Sequence, residues 1–144
     1  MPRQDDMDLI KAADENLLEH LRDLRGGLLR LHKALLDAEK ICYERENGRI
    51  RSTSGFLELI MNDDWFAWLR PLAGLVIQMD ESLEGDFVVE KRVKMLIELT
   101  TVLLRPKRLR TEFLKRIRAH IQDSPEVAMA FGAVSQLLGD QTTQ

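Results

Sequence analysis

Three histidines, one cysteine and a dense run of cations carry most of the chemistry available to this chain. Imidazoles in helical proteins hold metals when carboxylates converge with them, as in di-iron bundles built on Glu-x-x-His pairs. None of His20, His32 and His120 stands three residues after a glutamate. His120 follows Ile117 and precedes Ile121 on an apolar helix face, which reads as a packed rather than a ligating histidine. Cys42 is the single cysteine, so an internal disulfide and a thiolate-only metal cluster are both excluded, and a reducing compartment fits. It falls on an apolar helix line, where a thiol packs as a small hydrophobe. No glycine-rich phosphate loop and no nucleophile elbow occurs. The sequence therefore predicts no catalytic residue, no metal and no cofactor.

The cations are concentrated between Arg105 and Arg118. Arg105, Lys107, Arg108, Arg110, Lys115, Arg116 and Arg118 stand against one acid, Glu112. That segment carries +6 within a chain of net charge −3. On a helical wheel all but Arg110 lie opposite Leu109, Phe113 and Ile117. Such a face can bind phosphates or an anionic surface. It lacks interleaved aromatics and any recognisable reading module, so a solvated or subunit-facing surface is the expectation and nucleic acid is not the expected partner. Arg110 projects toward the apolar side, where it needs a carboxylate such as Asp80, Glu81 or Glu98, or a route to the surface.

Aromatics cluster at Phe56, Trp65, Phe66 and Trp68 in a chain with 6% aromatic residues. Trp65, Phe66 and Trp68 form either a partner-binding surface or a plug for one end of a bundle. The phrase Phe66-Ala67-Trp68-Leu69-Arg70-Pro71-Leu72, with Asp80-Glu81 one helix further on, resembles small bacterial helical proteins that carry no assigned function. The resemblance implies a soluble all-helical domain and brings no active-site residue with it.

The element that must position all of these is a long N-terminal helix, expected over about residues 6–47. Leu17, Leu21, Leu24, Leu28, Leu31, Leu35, Ala38 and Cys42 alternate steps of four and three, a heptad seam of almost four repeats. At about 1.5 Å per residue the seam belongs to a rod of roughly 50 Å. Asp5, Asp6 and Asp8 supply negative charge at its start, and Asn47-Gly48 ends it. Gly26 and Gly27 lie off the seam without breaking its phase. A continuous or slightly kinked helix is predicted, with two helices joined at the glycines as the alternative.

Shorter helices follow over about residues 54–139. They are set off by Asn62-Asp63-Asp64, Pro71, Gly85-Asp86, Arg105-Pro106 and Ser124-Pro125. Gly139 reads as the last stop, leaving 140–144 as a tail. No alternating run suggests a sheet. The fold class is all-α: one domain over 1–144, a helical bundle of five to six helices built on the rod. Apolar content of 44% and charged content of 31% are ordinary for a globular protein. No apolar run is long enough to span a membrane and the N-terminus has no signal-peptide core, so a cytoplasmic protein is expected.

The functional expectation is a non-enzymatic, self-associating helical protein serving as a regulatory or scaffolding subunit, with a possible protein partner. A rod overhanging the bundle would expose Leu17, Leu21, Leu24 and Leu28, making these the expected homodimer interface. Polyanion binding through Arg105, Lys107, Arg108, Lys115, Arg116 and Arg118 is the second reading. A small-ligand or enzyme site between helices is the third.

Overall fold

The computed structural model describes residues 11–105 and 111–142. Among them are six α-helices, one 3-10 helix and no strand, so the chain is an all-α bundle on one long helix. The helices are α1 (Glu15–Asn47), α2 (Thr53–Asn62), α3 (Arg70–Glu84), α4 (Glu90–Leu104), α5 (Glu112–Asp123) and α6 (Pro125–Thr142), with the 3-10 helix Asp64–Leu69 between α2 and α3.

The rod is a single helix that passes through Gly26-Gly27. A methyl at Gly26 would meet nothing nearer than the Arg30 guanidinium at 3.8 Å, whereas one at Gly27 would lie 3.1 Å from Val134 Cγ2. At Gly27, therefore, α6 packs tightly against α1. The rod ends as expected, with Gly48 at φ 89° donating its N–H to Glu44 O. Its start differs. Lys11 to Ala13 are extended and Ala12 forms an antiparallel bridge with Val89. Ala13 N–H donates to Val88 O and Glu90 N–H to Lys11 O, both at 2.8 Å. Asp14 then caps α1 by accepting from Leu17 N–H at 2.8 Å. The clip to the α3–α4 loop competes with helix at these residues, and the rod begins at Glu15 rather than near residue 6. Asp5, Asp6 and Asp8 lie outside the described residues.

Leu21, Leu24, Leu28, Leu31 and Leu35 are wholly buried, and Leu17 packs partly buried against the same core. The cover comes from within the chain. The inward faces are Leu72, Val76 and Met79 on α3, Val93 and Leu96 on α4, and Val127, Val134 and Leu138 on α6. This corrects the expectation of a bare N-terminal strip: α6 is long enough, and lies close enough at Gly27, to cover it. Gly139 does not stop α6, which runs on to Thr142; among the described glycines only Gly48 takes a positive φ. The start of α2 is capped by Ser52, whose Oγ accepts from Gly55 N–H at 3.0 Å. Its far end is closed by Arg70, which donates from Nη2 to Met61 O and Asp63 O. No described helix is long and apolar enough to cross a membrane.

Candidate functional site

Glu39 lies on α1 beside the seam and is only 7% exposed. A carboxylate that deep must be hydrogen-bonded. Its Oε1 accepts from Trp65 Nε1–H at 2.8 Å, and its Oε2 lies 2.8 Å from His120 Nε2. One side chain thus ties α1 to the 3-10 helix and to α5. Burial pushes the Glu39 carboxyl up, but hydrogen bonds from His120 and Trp65 more than offset this and hold it below its ordinary value. The Trp68 indole N–H pulls in the same direction although it makes no hydrogen bond among the described residues. An ionised carboxylate only accepts, so His120 Nε2 carries the proton of that bond. Its Nδ1 is left solvent-accessible, with no hydrogen bond to the described residues.

The aromatic residues enclose this node. Trp68 stacks on the His120 ring at 6.4 Å and 13°, and meets Phe113 edge-on at 5.5 Å. Tyr43 packs against Trp65 at 5.4 Å and Phe66 at 5.7 Å, with Phe56 on the far side of Phe66. Phe66 is wholly buried, and Trp65 and Trp68 are turned inward. Of the three residues read as either a partner surface or a plug, Phe66 is buried and Trp65 and Trp68 are half-buried in the node.

Next to the node is a cavity of about 650 Å³ between α1 and the corner where α5 meets α6. Ala34, Ala38, Ile41 and Cys42 form its α1 wall; His120, Asp123 and Glu126 face them. Cys42 is partly exposed rather than packed away. Burial pushes its thiol pKa up, and Glu39 adds to this, the opposite of what an activated nucleophile needs. No group of three metal-ligating side chains occurs among the described residues. His20 and His32 do not line the cavity.

The basic face is only partly within view. Arg105, Lys115, Arg116 and Arg118 are exposed, while Lys107, Arg108 and Arg110 lie outside the described residues. Arg116 is engaged locally, with Glu112 at 3.5 Å and its guanidinium 5.7 Å from the Trp68 ring. Arg105 lies against α6, its Nη1 3.2 Å from where a methyl on Gly139 would sit. Asp80, one carboxylate considered for Arg110, is bound by Arg25. The structure brings the four described cations to the surface without gathering them around a groove.

No family model, curated protein or solved structure matches the chain. Function must therefore be read from its own surface, and one feature of that surface was passed over in sequence. Met95, Leu99 and Val102 occupy one face of α4 at 41%, 42% and 57% exposure. Positions i, i+4 and i+7 make a continuous stripe. The opposite face of α4, with Val93, Leu96, Ile97, Thr100 and Leu104, is in the core. The helix is apolar on two sides, and that doubled pattern was the available signal.

Proposed function

We propose that this protein is a non-catalytic helical adaptor, or regulatory subunit, whose α4 face docks an acidic amphipathic helix of another protein. The Met95–Leu99–Val102 stripe carries the reading, because contiguous exposed apolar surface on a folded domain marks an interaction site. The charges around it select the partner. Lys91 and Arg92 flank the N-terminal end of the stripe on either side and Arg105 stands at its C-terminal end, against a single acid, Glu98, along one edge, so the border is net positive. A second copy laid antiparallel would set Lys91 and Arg92 against Arg105, and a parallel copy would set each cation against its twin. Self-association through this face is opposed by like charge in both senses, whereas carboxylates bracketing a leucine stripe would complement it. The buried rod leucines remove the reason to expect a dimer through Leu17, Leu21, Leu24 and Leu28.

The test is a titration by fluorescence anisotropy with a synthetic leucine-seamed helix carrying glutamates at both ends. A lysine-ended version serves as control. The acidic helix should bind and the basic one should not, and Leu99→Glu should weaken binding about tenfold or more, or about 1.4 kcal/mol. Leu99 is half exposed, so circular dichroism of that variant should match the wild type. Absence of binding, indifference to peptide charge, or a dimeric wild type that Leu99→Glu converts to monomer would each overturn the proposal.

A further inference from the structure

We infer that residues 1–10 of this chain are a tethered ligand of the α4 face, lying across the Met95–Leu99–Val102 stripe until a partner displaces them. The inference rests on the docking role proposed for that face and adds its regulation. It starts from where the segment joins the bundle. Ala13 N–H donates to Val88 O and Glu90 N–H donates to Lys11 O, an antiparallel pairing. Followed backwards from Ala13 to Lys11, the chain advances from Val88 to Glu90, the first residue of α4. The Lys11 ammonium, 3.4 Å from the Glu90 carboxylate, fastens the same point. The ten residues before Lys11 thus depart from the N-terminal end of the helix that carries the stripe. Val102, at the far end of the stripe, lies about 18 Å along α4 from Glu90. Ten residues extend to roughly 33 Å, so the whole stripe is within reach.

The chemistry of the segment complements the face. Asp5, Asp6 and Asp8 stand against Arg3 alone, and Met7, Leu9 and Ile10 supply apolar side chains among and after them. The α4 face offers the reverse charge, with Lys91, Arg92 and Arg105 against Glu98 around Met95, Leu99 and Val102. Lys91 makes no hydrogen bond or ion pair among the described residues, and the neighbouring Glu90 carboxylate is already shared between Lys11 and Lys94. A second copy brings like charge to this face; the chain's own first residues bring carboxylates. A short tether also holds its ligand at an effective concentration in the millimolar range, so contacts too weak to retain a free peptide keep the face covered. A partner then binds with an affinity reduced by the fraction of chains whose face is open.

The experiment compares the full chain with a full-length variant carrying Asp5→Asn, Asp6→Asn and Asp8→Asn. The methyl signal of Met95, assigned through Met95→Leu, reports the face in a 13C-methyl-methionine NMR spectrum. It should differ between the two chains and hold its position on hundredfold dilution of the wild type. The acidic leucine-seamed helix should bind the triple variant about tenfold more tightly than the wild type. A Met95 signal unmoved by the triple substitution would overturn the inference. So would a signal that moves on dilution, which would make a second copy the donor, or equal measurable affinity of both chains for the acidic helix. Binding of that helix to neither chain would refute the adaptor reading alone, and the Met95 comparison would still decide the tether.

Discussion

Replacing Glu39 by alanine tests whether the buried carboxylate is a strut of the bundle. The change would strand Trp65 Nε1–H and His120 Nε2, both bonded to it at 2.8 Å. Each orphaned buried polar group costs about 1–3 kcal/mol, and breaking a buried charged pair from one side about 3–5 kcal/mol. Water can reach His120 through the adjoining cavity, which places the expected loss near the lower figure, about 3 kcal/mol. For a chain of 144 residues that lowers Tm by roughly 10 °C. Glu39→Gln keeps an oxygen for Trp65, and its amide can donate to the other histidine tautomer, so it should cost about 1 kcal/mol. The two variants also differ from wild type in acid. With the folded carboxyl held below its ordinary value of 4.5, the unfolded chain takes up the proton first. The contribution of Glu39 is complete above that pH and is lost as pH falls through the folded value. Urea titrations of wild type, Glu39→Ala and Glu39→Gln between neutral pH and pH 3 measure both effects. An alanine variant within about 1 kcal/mol of wild type, or a glutamine variant with the wild-type acid limb, would refute the strut.

The paired glycines give opposite expectations. Gly26→Ala should stabilise by up to about 1 kcal/mol, and Gly27→Ala should fall behind it by about 1–2 kcal/mol because its methyl meets a stiff, buried Val134; chemical denaturation of the pair reads the difference. Leu21→Asp should unfold the chain by several kcal/mol instead of releasing monomers, since Leu21 is wholly enclosed, and light scattering with circular dichroism distinguishes these outcomes.

Most of the bundle was legible because its signals are local. The rod's seam, the Gly48 stop, the Asp63 cap and the Ser124-Pro125 opening each lie within a few residues of what they determine. The start of the rod was not, because the clip at Ala12 is made by Val88 and Val89, far along the chain. Glu39 stayed hidden for the same reason. Nothing beside it in sequence announces that Trp65 and His120 will arrive from two other elements. On α4 both apolar stripes are visible in the letters, but periodicity alone does not say which one the core takes. Gly139 misled because a glycine that ends one helix can equally sit within another when φ stays negative.

The crossing at Gly27 also has a consequence for biosynthesis. The first described helix pairs most extensively with the last, so α1 leaves the ribosome well before α6 exists to cover it. At about 5–20 residues per second, the interval between Asn47 and the end of α6 is on the order of ten seconds. Throughout it the rod is an amphipathic helix with a row of leucines that α3 and α4 can shield only in part. Closure of the bundle is therefore a late event that waits on α6, the partner farthest from α1 along the chain.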